Sequence, residues 1–273
     1  MRKAEYGLQL YSLRDLSATD LRAALRQTAD MGYRYVEFAG FFGHDARQVR
    51  QWLKEYDLLC SGTHTGMDLI RPDRIDETIE YHLQIDCRHL IVPSADWSSA
   101  SHMRANIASL QRAQETLAAA GIRLGYHNHS GEFLPTPYGK IVMDELLAET
   151  TVDLEIDTFW AYNAGIDPVS FLDAHKARVR VLHLKDGIPC APSKRTFADW
   201  SSGVVGKSLG EGNAPVLAIR DWAVANGVLL VVESERLNPT GVDEAARCIA
   251  FLHANEVSMP ARFTNKNRKE EPS

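Results

Sequence analysis

The chain has 273 residues, 45% hydrophobic and 24% charged, with a formal net charge of −6. That length suits one large α/β domain or two small ones, and the composition is that of an ordinary globular protein. An acidic balance argues against a nucleic-acid partner, and no apolar run reaches the roughly 18–20 residues of a membrane span.

The N-terminus, MRKAEYGLQLYSL, lacks the apolar core of a signal peptide, so a cytoplasmic protein is expected. Cys60, Cys87, Cys190 and Cys248 are scattered with no CxxC pair, which leaves reduced, buried thiols as the expectation. The first strand is expected over Gly7–Tyr11, where Leu8 and Leu10 alternate with Gln9 and Tyr11. A helix opens near Thr19 or Asp20, either of which can cap it, and Gly32 stops it. Tyr35–Phe38 forms the second strand, with Glu37 among apolar neighbours, and about Ala46–Glu55 the second helix. The third strand, Leu58–His64, turns polar at its end, and a helix follows over about Asp73–Gln84. Arg88–Val92 is the fourth strand, and about His102–Ala120 a long helix with Ile107, Leu110 and Leu117 in register.

The fifth strand lies in IRLGYHNHSGEF, Ile122–Phe133. Ile122, Leu124 and Tyr126 share one face; Arg123, Gly125, His127 and His129 share the other. After a helix at about Lys140–Glu149 comes the sixth strand, Val152–Asp157, with Asp153, Glu155 and Asp157 on one face. A short helix follows Pro168. The seventh strand, Val179–Lys185, aligns Val181, His183 and Lys185. Asp186–Gly212 reads as a long loop over the site, and its GEG, Gly210–Gly212, as a turn too short for a phosphate fingerprint. Asn213 can cap a helix to Asn226. The eighth strand is Val228–Glu233, and a last helix runs to about Asn255.

Eight strand–helix alternations without a composition break predict a single (β/α)8 TIM barrel over residues 1–262, followed by a polar tail, 263–273, expected to be disordered. A doubly wound open sheet is the alternative, but neither GxGxxG nor GxxxxGK[ST] occurs. In a closed barrel the C-terminal strand ends meet at one mouth. That gathers Glu37, His64, His127, His129, Asp157, His183, Lys185, Glu233 and Glu235. Any one of them alone reads as a solvated edge; together, Asp157 and Glu233 would repel unless neutralised. A divalent metal among His127, Asp157, His183 and Glu233 resolves this, and the mixed N/O set suits Mn, Mg, Co, Fe or Zn. Asp153 and Glu155 read as structural partners of Arg123 or Arg180 near the barrel base.

The segments GLQLYSLR, YVEFAGFFG, SGTH, GIRLGYHNHSGEF, LEIDTFWAYNAGIDP, HLKDG, SLGEG and VVESE resemble the sugar isomerase/epimerase barrels of the xylose isomerase-like superfamily over about Gly7–Leu252. The resemblance implies one divalent metal held from strands five to eight, with Asp157, His183 and Glu233 as three ligands. In the epimerases the strand-five ligand is a glutamate six residues after the opening glycine; here that position is His127. The YHNH form resembles the keto-inositol dehydratase branch, and Glu132 is a second candidate ligand if the strand bulges. The implied chemistry is proton abstraction next to a carbonyl through a metal-stabilised enediolate. Glu233 would be the base, and His129, Lys185 or Glu132 the opposite acid. Glu37, His64, Glu132, Trp160, Lys185 and Glu235 are expected to bind substrate, a small sugar or cyclitol.

The expected activity is a metal-dependent sugar isomerase/epimerase. The alternative is a dehydratase or lyase acting on a keto-inositol or 3-keto-glycoside. An abasic-site endonuclease of the same superfamily is opposed by the acidic balance, and a non-enzymatic sugar-binding protein is the remaining reading. Membrane association is not expected; the resemblance allows a homodimer.

Overall fold

The structure, a computed structural model, describes residues 4–256. The expected tail, 263–273, lies outside the described residues. The strands are β1 Gly7–Gln9, β2 Tyr35–Phe38, β3 Leu59–His64, β4 His89–Val92, β5 Arg123–His127, β6 Asp153–Asp157, β7 Val179–Leu184, β8 Asp186–Ile188, β9 Val205–Lys207 and β10 Leu229–Val232. Eight of them close a barrel in the order β1-β10-β7-β6-β5-β4-β3-β2, and β8 and β9 make a separate two-stranded ribbon. The barrel pairs are parallel, and β1 joins both β2 and β10, which completes the ring.

The outer faces of the strands are apolar because helices must cover them. On β5, Leu124 and Tyr126 pack into one cluster with Leu110, Ala113 and Leu117 of the helix Ala100–Ala119. Each such leucine removed from water contributes about 1.5–3 kcal/mol. Helix starts follow the capping chemistry. Asp20, Asp45 and Ser99 accept from the backbone N–H three residues on, at 2.8, 3.0 and 3.1 Å.

The inner faces differ. Gly125 and Gly62 leave space there. A Cβ on Gly125 would lie 2.8 Å from His89 Nε2, and one on Gly62 2.6 Å from Ile91 Cδ1 and 3.3 Å from Glu37 Oε2. The room they leave is taken by Ile91, His89 and Glu37. Register then sets which polar side chains meet: His127 stands beside Glu155, and Asp157 beside His183. Two register shifts occur at Val36/Glu37 and Leu154/Glu155, immediately before the two inward glutamates. A bulge re-aims the side chain that follows it.

Four expectations about elements are corrected. The first strand ends at Gln9, because the Gln9 side chain accepts from Tyr11 N at 3.1 Å and turns the chain into a 3-10 turn, Leu10–Leu13. An additional helix, Thr158–Asn163, directly follows β6. The span read as a loop contains the β8–β9 ribbon. Asn213 does not cap; its N–H donates to Gly187 O at 2.9 Å, and the helix Val216–Asn226 follows Pro215. The cysteines are free, three buried and Cys60 partly so.

Candidate active site at the barrel mouth

β6 supplies two carboxylates to the interior at different depths. Asp157, at the strand end, caps the following helix: its Oδ1 accepts from Trp160 N at 2.8 Å. Its backbone is held from the other side by Asn128. Asn128 Oδ1 accepts from Asp157 N at 3.1 Å, and Asn128 Nδ2 donates to Asp157 O at 3.2 Å. The side-chain amide of the YHNH segment thus continues the β5–β6 ladder where the strand itself has ended. Asp157 Oδ2 has no hydrogen-bond partner among the described residues. It lies 3.1 Å from Lys185 Nζ, which also reaches Glu233 Oε2 at 2.8 Å and Glu235 Oε1 at 2.7 Å. Lys185 lies 5.0 Å over the Trp160 ring, within cation–π range.

His183 spans the site. Its Nδ1 is 3.2 Å from Glu233 Oε2, and its Nε2 is 2.7 Å from Glu37 Oε1. Gln9 Nε2 donates to the same Glu37 oxygen at 2.6 Å. One residue pair deeper, Glu155 Oε2 lies 2.7 Å from His64 Nε2, 3.2 Å from His127 Nδ1 and 3.3 Å from His183 Nε2. Glu37, Glu155, Asp157 and His183 are all fully buried.

These neighbours set the charges. Burial pushes the Glu37 carboxyl up, but His183 and His64 outweigh it and hold the group down at about 2. Glu155 is lifted to about 7 by burial and by the Glu37 charge beside it. Burial also opposes charge on His183, but Glu155, Glu37 and Glu233 together hold its pKa well above the usual imidazole value. His127 goes the other way: burial, then its cationic neighbours His183 and His64, keep it neutral. A neutral imidazole with a free lone pair is the form that ligates a metal. Glu233 stays ionised because Lys185 and His183 overcome its burial.

The expected quartet therefore comes together: His127, Asp157, His183 and Glu233 bring their ligand atoms within 4.8 Å of one another. Mixed imidazole and carboxylate donors, with Asp157 Oδ2 and His127 Nδ1 lacking hydrogen-bond partners, fit a divalent cation.

Residues 25–252 match the family described as the xylose isomerase-like TIM barrel. The chain belongs to that family. This xylose isomerase-like barrel is similar to inosose dehydratase of Geobacillus kaustophilus, 26% identical over 186 residues, 59% of this chain. The match spans 60% of that relative's length. In fold it is similar to a sugar phosphate isomerase/epimerase from Parabacteroides distasonis, with TM-score 0.74 and 24% identity over 92% of this chain and 97% of that one. It is also similar to an L-ribulose 3-epimerase, with TM-score 0.67 and 17% identity over 92% and 94% of the two chains. At such identities the structural likeness speaks to the fold alone.

The remaining expected residues fall into three places in this xylose isomerase-like barrel. His64 and Glu37 join the deeper polar layer. Glu235 stands at the rim, with its side chain 43% exposed. His129, its pKa lowered to about 4 by burial and by Lys185, sits among aromatic rings, 5.3 Å from Trp200 and 6.1 Å from Trp160.

Glu132 does not reach the ligand cluster. No bulge turns it inward; it closes the 3-10 turn Ser130–Phe133, accepting from His129 N at 2.9 Å and from Tyr126 Oη at 3.0 Å. Burial raises its pKa to about 7. Glu155 is also corrected. Arg123 and Arg180 pair with Asp153, and Glu155 belongs to the histidine cluster. Its position two residues before Asp157, on the same strand face, was the signal available in the sequence.

The loop over the mouth is held by one carboxylate. Asp186 accepts from Gly187 N, Gly210 N, Gly212 N and Ala214 N at 2.8, 2.9, 3.0 and 3.1 Å. GEG is thus a wrapped anchor, and Gly210 adopts φ +84 within it. Trp200, from the same loop, meets Trp160 edge-on at 5.0 Å.

Proposed function

We propose that this protein is a metal-dependent sugar isomerase/epimerase that moves a proton next to a carbonyl of a small sugar or cyclitol. The observation that carries the reading is Glu233. It is a buried carboxylate kept ionised by an ammonium at 2.8 Å and an imidazole at 3.2 Å, at the mouth of the barrel. An ionised carboxylate in a water-poor site is a competent base toward a C–H made acidic by a neighbouring carbonyl.

His127, Asp157, His183 and Glu233 would hold a divalent cation. When bound, the ion supplies Lewis-acid polarisation of substrate oxygens. Glu233 takes the proton, and the electron pair shifts onto the carbonyl to give an enediolate. Lys185 balances the negative charge and orients substrate oxygens, and Trp160 and Trp200 shield the pocket from water. His129, kept neutral, or Lys185 returns a proton. Delivery at the neighbouring carbon gives isomerisation, and delivery at the opposite face gives epimerisation.

A second reading, dehydration of a keto-inositol or elimination from a 3-keto-glycoside, is favoured by His127. A neutral imidazole at the strand-five position is a poor second base, so a two-base epimerisation has only one secure carboxylate. In that reading Lys185 protonates the departing β-hydroxyl or aglycone oxygen.

Proton NMR in D2O with added Mn2+ or Co2+, over a panel of keto sugars and inosose, tests both readings. Solvent deuterium in recovered sugar without loss of water supports the isomerase/epimerase. Loss of water or aglycone supports the second reading. No exchange and no elimination on any member, with metal bound, rejects both.

A further inference from the structure

The barrel interior presents two sets of ligands. Besides the quartet at the mouth, His64, His127, Glu155 and His183 bring their ligand atoms within 4.8 Å of one another. In this deeper set the imidazole nitrogens of His64, His127 and His183 converge on one oxygen, Glu155 Oε2, at 2.7, 3.2 and 3.3 Å. Glu37 Oε1 borders the same space, 3.2 Å from His64 Nε2 and 2.7 Å from His183 Nε2.

One buried nitrogen at this point, His127 Nδ1, lacks a hydrogen-bond partner among the described residues, and the Glu37 and Glu155 carboxyls stand close enough to share a proton. Unsatisfied buried polar atoms are costly, and ligation is one way to satisfy them. The mouth quartet is differently placed. Its two carboxylates already face the Lys185 ammonium, and Asp157 Oδ1 is committed to the helix cap. Glu37 and Glu155, by contrast, have only imidazoles within ion-pair reach among the described residues.

We propose that in the substrate-free protein a divalent cation sits in this deeper seat, held by His64, His127, Glu155 and His183. The inference rests on the metal dependence of the preceding reading and gives the ion a second position. His127 and His183 belong to both sets, and His183 turns Nδ1 toward Glu233 and Nε2 toward Glu155. Three imidazoles and a carboxylate suit Zn2+, Co2+ or Fe2+ better than Mg2+.

The test is Co2+ binding to chelator-stripped protein without substrate, read by metal analysis after desalting and by X-ray absorption. Glu155→Gln and His64→Gln should each retain less than about a tenth of the wild-type Co2+, since removing a ligand from a small cage sharply weakens it. Asp157→Asn should retain it, and the wild-type spectrum should carry the scattering of three imidazoles rather than two. His64 lies at the partly exposed edge, 12% accessible in its side chain, so its variant carries the test if Glu155→Gln does not fold. Retention by both of those variants, loss in Asp157→Asn and a two-imidazole spectrum would overturn the deeper seat and leave the mouth site standing. Absence of Co2+ from wild-type protein overturns both.

Discussion

Replacing Lys185 by methionine removes the one ammonium among the described residues that faces Asp157 and Glu233. Its Nζ lies 3.1 Å from Asp157 Oδ2 and 2.8 Å from Glu233 Oε2, both buried; the third contact, Glu235, is 43% exposed and contributes little. At about 3 Å and an effective dielectric of about 20, each buried contact carries about 5 kcal/mol of attraction, much of it offset by desolvation. Breaking a buried pair from one side costs about 3–5 kcal/mol. Asp157 softens the loss: burial already raises its pKa, so it takes up a proton when the ammonium goes. The lower figure, about 3 kcal/mol, is therefore expected. At about 2–4 °C per kcal/mol for a domain of this size, Tm should fall by about 6–12 °C.

The assay is thermal unfolding followed by circular dichroism, in chelating buffer near neutral pH. Burial works against the Lys185 charge, but Asp157, Glu233 and Glu235 outweigh it and raise its pKa. A raised lysine contributes stability that is complete below its unfolded value of about 10.4 and lost only above its folded one. Across about pH 6–9 the wild-type contribution is therefore constant. The variant, in contrast, should recover part of its deficit as the pH falls and Asp157 protonates. An unchanged Tm in chelator, with no recovery of the variant as the pH falls, would refute the claim that Lys185 neutralises this mouth.

Glu233→Gln keeps the shape of the side chain but not its basicity. Proton exchange into substrate should drop by about 10²–10⁴-fold while the far-ultraviolet spectrum is kept. Asp186→Ala removes the acceptor of four backbone N–H groups, so the loop it holds should open. Trypsin cleavage at Lys194 or Arg195 should become at least about tenfold faster, because local opening rather than global unfolding limits it. Gly125→Ala places a Cβ 2.8 Å from His89 Nε2 in a closed interior. Overpacking of that kind costs about 1–3 kcal/mol, measurable as a shift in the urea midpoint.

The barrel was legible because the same physics recurs along the chain: an apolar strand face, then a helix with a matching stripe, several of them started by a capping side chain. Ala46–Glu55, for example, starts one residue after Asp45, whose carboxylate caps it. The quartet was legible because polar residues at strand ends can converge only at the mouth.

What escaped the sequence was set by contacts of long separation. Glu155 looked like a base-layer partner for arginine, since nothing local reveals that Asp153 already takes both Arg123 and Arg180. The register shift at Leu154/Glu155 is likewise a property of the β6–β7 pair, not of either strand alone. The β8–β9 ribbon escaped for a similar reason. Its strands are three residues each and carry glycine, and Asp186 of the first is tethered to backbone groups 24 to 28 residues away.

Under the proposed metal reading, Asn128 has a consequence for which ion the mouth would accept. Its amide binds both backbone groups of Asp157, at 3.1 and 3.2 Å, and so locks the residue after His127 to the neighbouring strand. The gap between an imidazole of one strand and a carboxylate of the next is thereby cut to a set width. A cage on pliant loops breathes to suit ions of different radius; one braced by a peptide-like rung does not. Size selection among cations is then a property of a residue that touches none of them, and Asn128→Ala should broaden the range of ions bound before it weakens any single one.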